Sequence, residues 1–158
     1  MQKTFTVQEA KIKLEHFCSY QERCHADISK KLYEMRMIPQ AVDLIIVHLI
    51  DNNFLNEERF ACSFARGKHR IKFWGKIRII NELKARHISK YNIEKALKEF
   101  SLEEYWLTFD KLSNHQWEIM REPNKLKKRK KFCDYLLRKG FESSMVYEKM
   151  KELETENS

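Results

Sequence analysis

Six apolar residues recur at one spacing three times along this chain. Ile28, Leu32, Met37, Val42, Ile46 and Leu49 are separated by 4, 5, 5, 4 and 3 residues. Ile79, Leu83, Ile88, Ile93, Leu97 and Phe100 repeat those steps, and so do Phe132, Leu136, Phe141, Val146, Met150 and Leu153. The units are offset by 51 and then 53 residues, with no gap inside any of them. One amphipathic helix matches another by chance, but six positions matching across a turn, three times over, imply an internal repeat. Met37, Ile88 and Phe141 then plug the corner between two helices of each unit.

Composition fits helices. Among 158 residues there are 3 glycines and 2 prolines, too few for the tight turns of an all-β fold. Charged residues make up 34%, and Lys, Glu, Leu and Ile dominate. Helix starts are legible in order. Thr6 with Glu9 forms a capping box before Val7. Pro39 suits a first helical turn. Asn56, Ser89 and Ser101 stand where N-caps are needed, Pro123 opens a further helix, and Gly140 suits its end. The fold expected is all-α: three tandem three-helix repeats forming an elongated, curved, solenoid-like array. Residues 1–54, 55–100 and 101–154 are the expected units, with 155–158 a frayed tail. Trp74 to Arg86 is the expected fifth helix.

The net charge of +8 is uneven. Residues 1–65 carry eight lysines and arginines against nine acids, and residues 66–158 carry 23 against 14. The second part therefore suits a polyanion or an acidic protein surface. Arg66, Lys68, Arg70, Lys72, Lys76, Arg78, Lys84 and Arg86 are opposed only by Glu82 between Arg66 and Ser89. Trp74 and Gly75 lie among them. An aromatic beside a basic run stacks on a base, anchors an interface or packs at a helix start. Gly75 aligns with Cys24 and Lys128, so the repeat does not demand glycine there, and close approach of another backbone explains it. Arg78 aligns with Asp27 and Lys131, so its role is specific to its repeat; an i,i+4 pair with Glu82 is its structural alternative. Lys127, Lys128 and Lys131 belong to a second basic block at the start of the eighth helix, where cations oppose the helix dipole.

No chemistry of an enzyme is visible. The chain has no Gly-rich phosphate loop, no H-E-x-x-H and no nucleophile elbow. His16, Cys18, Cys24 and His25 match no usual zinc spacing. No cofactor and no metal are expected. Four cysteines without a C-x-x-C pair suit reduced thiols and a cytoplasmic protein. The most apolar run, Val42 to Ile50, is too short to span a bilayer. A monomer is expected. His48, within that run, is expected to be half-buried and satisfied.

Two segments resemble the RecX family of bacterial recombination regulators. DNNFLNEERFACSFARGK, from Asp51 to Lys68, carries the family's R-F-A motif at Arg59, Phe60 and Ala61. FWGKIRIINELKARHIS, from Phe73 to Ser89, carries the second pattern at Gly75, Arg78, Ile79, Glu82, Leu83 and Ile88. The resemblance covers about residues 20–100; the third unit is recognisable mainly by spacing. Arg36 and His87 stand where the family often has glycine before the corner residue. The resemblance implies three three-helix repeats that bind the RecA recombinase filament on single-stranded or double-stranded DNA. It further implies inhibition of RecA ATPase and strand exchange, with direct DNA contact in some members. The competing class is a non-sequence-specific DNA-binding repeat protein acting without RecA.

Overall fold

The computed structural model describes residues 4–157, and among the described residues the secondary structure is helical with no strand. The first unit holds α1 (Val7–Tyr20), α2 (His25–Glu34) and α3 (Pro39–Asp51). The second holds α4 (Glu57–Lys72), α5 (Lys76–Ala85) and α6 (Lys90–Ala96), which tightens into a 3-10 turn over Leu97–Glu99. The third holds α7 (Leu102–Ile119), α8 (Lys125–Lys139) and α9 (Ser143–Glu156). The chain is thus an all-α array of three three-helix units.

Caps set most of the helix starts. The Thr6 hydroxyl accepts from Glu9 N–H at 3.1 Å while Thr6 N–H donates to the Glu9 carboxylate at 3.3 Å. Asn56, Ser89, Ser101 and Asn124 each accept from the backbone N–H three residues on. These bonds satisfy donors that a helix leaves open at its first turn. Asn124 therefore starts α8 at Lys125, and Pro123 lies just outside it. Relative to α2 and α5, α8 begins one turn early, and that turn carries Lys125, Lys127 and Lys128. At the other end, Thr155 and Glu156, expected in the frayed tail, continue α9. Asn157 holds the end through its side-chain amide, which donates to Leu153 O at 2.7 Å.

The repeated spacing is a repeated burial pattern. In each unit five of the six apolar positions are buried, and the fifth position (Ile46, Leu97 or Met150) is half-buried. The corner between the second and third helices is one motif used three times. Met37, Ile88 and Phe141 N–H donate to Leu32, Leu83 and Leu136 O, at 3.0, 3.1 and 3.2 Å. The residue before each corner, Arg36, His87 or Gly140, takes a left-handed backbone with φ of 61°, 59° and 100°. Its N–H donates back to Tyr33, Lys84 or Leu137 O. This double bond pattern closes a helix and suits glycine, yet only the third unit has one.

Two cores result. Ala10, Leu14, Ile28, Leu32, Ile45 and Leu49 anchor the core of the first unit. The second and third units share one continuous core through Phe100, Tyr105, Phe109, Phe132 and Phe141. Cys18 packs in the first core and Cys24 in the second, and burial pushes the Cys18 thiol up to about 11. Arg59 clamps the seam between them. It pairs with Glu22 at 2.6 Å and donates to the carbonyl oxygens of Asn53 and Phe54 at 3.0 and 3.3 Å. His48 is half-buried, its ring 3.3 Å from Glu15 and 3.3 Å from the Asn52 amide.

The left-handed corners generate a prediction. A side chain in that conformation costs about 1 kcal/mol relative to glycine. Arg36→Gly and His87→Gly should each raise stability by up to about 1 kcal/mol, since both side chains are exposed. Gly140→Ala should lower it. Urea unfolding midpoints at constant m-value check all three.

Candidate functional site

The site is built where the second unit meets the third. Gly75, the N-cap of α5, lies against Gly140, the residue that closes α8. A Cβ on Gly75 would overlap the carbonyl of Gly140, and a Cβ on Gly140 would overlap the backbone of Arg78. Two backbone hydrogen bonds cross this contact. Gly75 N–H donates to Lys139 O at 2.7 Å, and Ile77 N–H donates to Gly140 O at 3.0 Å. Open donors of one helix start thereby satisfy open acceptors of another helix end. The α5 dipole presents its positive end to the negative end of α8, which stabilises the joint further.

α5 therefore starts at Lys76, not at Trp74. The chain leaves α4 through Phe73, in the left-handed region at φ 59°, and Trp74 lies in the connection. Trp74 O accepts from the buried His69 ring, whose Nδ1 lies 2.9 Å away. Lys76 N–H donates to the Tyr105 hydroxyl at 3.0 Å, and that hydroxyl donates to Glu142 at 2.9 Å. Burial pushes the Tyr105 phenol far above its ordinary value, which keeps the proton on it. Tyr105 thus ties α5, α7 and the start of α9 together.

This scaffold lays out a ladder of cations and rings. The Arg78 guanidinium lies 4.1 Å from the centre of the Trp74 ring. Lys68 Nζ stands 5.0 Å from Trp74 and 5.5 Å from Phe64. Arg86 covers Phe64 at 4.9 Å. Phe64 and Trp74 meet edge-on at 6.1 Å. Arg78 does not pair with Glu82, which pairs with Arg86 instead at 2.9 Å. Arg78 is half-buried and also donates to Arg138 O at 3.3 Å. Lys139 Nζ donates to Lys72 O at 3.0 Å. Burial first, and then the charges of Arg78 and Lys72, hold the Lys139 ammonium below its ordinary pKa. Among the described residues, Lys68, Lys72, Arg78 and Lys139 have no carboxylate partner. Four cations converge with nothing to neutralise them.

The other residues expected at the site fall elsewhere or are already paired. Arg66 pairs with Glu99 at 3.2 Å and Arg70 with Glu104 at 2.8 Å. Lys76 lies over the Tyr105 ring at 4.8 Å. Gly75 is buried and serves the joint. Lys84 is exposed at the rim of an apolar groove between α5 and α6. Lys127, Lys128 and Lys131 stand toward the opposite end of α8, about 13 to 20 Å from the joint at about 1.5 Å per residue. Lys131 pairs with Glu122 at 2.8 Å, and Lys128 covers Trp117 at 4.0 Å. Phe64, Arg138 and Lys139 were not legible as site residues. Two glycines read together, Gly75 at a start and Gly140 at an end, were the available signal for Arg138 and Lys139.

Comparison with known proteins places this geometry in a family. Residues 56–97, spanning α4 to α6, match the family model for the second three-helix domain of RecX. The regulatory protein RecX of Limosilactobacillus reuteri is 29% identical over 136 residues, covering 86% of this chain and 51% of that protein. That of Bacillus subtilis is 27% identical over 144 residues, covering 89% of this chain and 53% of the relative. A crystal structure of regulatory protein RecX superposes with a TM-score of 0.79 at 27% identity, over 92% of this chain and 71% of that one. This chain belongs to the RecX family. RecX from Lactobacillus salivarius shares the fold, with a TM-score of 0.76 at 21% identity over 94% of this chain and 97% of that one. The chain spans about half the length of the RecX relatives it matches in sequence. In this RecX-family chain the R-F-A arginine, Arg59, works inside the fold, while the second motif's arginine, Arg78, lies in the ladder. Among the described residues, no helix is long and apolar enough to cross a membrane.

His69 makes the joint sensitive to pH. Its ring is fully buried, stacked on Phe100 at 4.2 Å, and its Nε2 has no hydrogen-bond partner. Burial lowers its pKa below the ordinary 6.5, so the folded form is neutral. As pH falls through 6.5, the unfolded chain takes up a proton that the folded chain refuses. Stability should therefore be full above 6.5 and decline below it, by at most about 1.4 kcal/mol per pH unit. Urea midpoints at pH 7.5 and 5.5 should differ, and His69→Gln should flatten the difference.

Proposed function

We propose that this protein regulates recombination and DNA repair by binding the RecA filament on DNA. It sets the cation and aromatic ladder of its second and third units against the strand that RecA holds. The four unneutralised cations at the joint carry this reading. A phosphate backbone supplies repeated negative charge at the spacing of nucleotides, and each neutralised phosphate releases counterions. The rings between those cations suit bases, whose faces stack without regard to sequence. A rigid joint keeps the contacts in one geometry. Held across adjacent RecA protomers, such a protein obstructs ATP turnover and strand exchange with no chemistry of its own. Membership of a family whose named members are regulatory proteins supports the same conclusion.

A ladder of this kind also fits a strand-binding protein that acts without RecA, because the cation and ring pattern alone suffices for single strands. One titration separates the two. A labelled single-stranded oligonucleotide is titrated with the protein, with and without RecA, at two salt concentrations. Tight binding only with RecA present is the expected outcome; equal, salt-steep binding without RecA would assign the second reading. Lys68→Ala with Lys72→Ala should weaken filament binding and the inhibition of RecA ATPase together. The salt slope of binding should fall by about one for each phosphate that is no longer neutralised. Unchanged inhibition by a variant with wild-type melting behaviour would remove the ladder from the function.

A further inference from the structure

The ladder does not end at Phe64. Beyond it opens a cleft of about 350 Å³, whose walls come from two different units. The turn between α1 and α2 gives one wall, with Glu22 and Arg23, and Asp27 adds to it from the first turn of α2. Phe60, Ser63, Phe64 and Lys68 of α4 give the other, and Arg86 closes the end. Its size lies within the range of small-ligand sites. We propose that this cleft takes one unstacked nucleobase, with its phosphate, from the strand that crosses the ladder. The inference rests on the nucleic-acid contact argued above.

Three features select a nucleotide. Phe60 and Phe64, 5.7 Å apart, offer apolar ring surface, and Phe64 is half-buried, so part of it is open. Cations stand at the rim: Lys68 without a carboxylate partner, and Arg23 fixed by stacking on Phe17 at 3.6 Å and by donating to Phe17 O at 2.9 Å. Carboxylates lie on the same walls as those cations. Asp27 accepts Cys24 N–H at 3.1 Å, and Glu22 Oε1 accepts from Arg59. Glu22 Oε2 is buried with no donor. An acidic peptide, negative throughout, would meet those carboxylates with repulsion. A nucleotide has the opposite composition along its length: an anionic phosphate for the rim, a flat ring for the phenylalanines, and N–H edges for acceptors. Continuity makes the assignment specific to a strand. Lys68 touches both Phe64 and Trp74, so a backbone following Arg78 and Lys68 arrives at the cleft without a break.

The test compares two oligonucleotides of equal length and phosphate count, oligothymidylate and one whose central residues are abasic, each titrated against the full chain. A base–ring stack is worth about 1–3 kcal/mol, so the abasic strand should bind about 5- to 150-fold more weakly. Phe64→Leu, which keeps the apolar packing and removes the ring, should erase that difference, read as the ratio of the two affinities within the variant. Iodouracil placed centrally should photocrosslink to Phe64 or Phe60. Equal binding of the two strands by wild type overturns the cleft and leaves the phosphate ladder standing. A difference that survives in Phe64→Leu moves the base to Trp74 and also overturns it. No binding of either strand, with or without RecA, removes the nucleic-acid contact and the cleft together. Wild-type comparison and crosslinking need no variant, so a misfolded Phe64→Leu leaves the proposal decidable.

Discussion

Two glycines from different units lie backbone to backbone, and the meeting of α5 with α8 at the candidate site follows from that contact. Any side chain at Gly75 or Gly140 would push α5 away from α8. The Gly75 and Ile77 N–H groups would then lose Lys139 O and Gly140 O, and a buried helix start would be left with open donors. Because the two helices meet end to end, Arg78 on the first turn of α5 and Lys139 on the last turn of α8 are brought close. Neither helix alone carries a site. The Trp74 ring then takes both Arg78 and Lys68, at 4.1 and 5.0 Å from its centre.

The seam between the first and second units is made differently. Among the described residues, no shared apolar core crosses it apart from Cys24; Arg59, Glu22, Glu57 and His25 do, through charge and hydrogen bonds. Arg59 donates to two carbonyls of the α3–α4 turn and so replaces bonds that the turn cannot make internally. A polar seam leaves room between the units, whereas at the glycine contact the two backbones meet directly. The cleft beside Phe64 exists at the first seam for this reason, and the ladder runs from it to the second.

Sequence spacing reached the scaffold almost completely, because burial is set by periodicity and periodicity is visible. Ile79, Leu83 and Ile88 are buried where the repeat puts them, and the half-buried fifth position recurs as well. The site was harder. Gly75 stood out because its repeat equivalents are Cys24 and Lys128, and close approach of a backbone was the reason inferred. Which backbone it meets depends on how α8 leans on α5, a tertiary fact with no local pattern. Arg78 was set apart by its equivalents, Asp27 and Lys131, but its intrahelical pair with Glu82 did not form. Trp74 draws Arg78 away, and Arg86, one turn on, takes Glu82. Fifth-helix periodicity also swept Trp74 into α5, since nothing local signals the left-handed exit at Phe73.

Charge density and available charge are different quantities, and the two basic stretches separate them. The start of α8 is the denser run, KLKKRKK from Lys125 to Lys131. There Lys131 is taken by Glu122, Lys130 by Asp134 and Arg129 by Glu154. Cations at a helix start also face the positive end of the dipole, and Lys125, Lys127 and Lys128 of this run, unlike the other three, have no carboxylate partner among the described residues. At the joint the balance is reversed. Lys139 stands in the last turn of α8, whose negative end offsets part of the repulsion between its ammonium and Arg78. No carboxylate is then required for folding, and the cations remain open to a phosphate. A count of lysines favours the start of the helix; the pairing pattern and the direction of its dipole favour the joint.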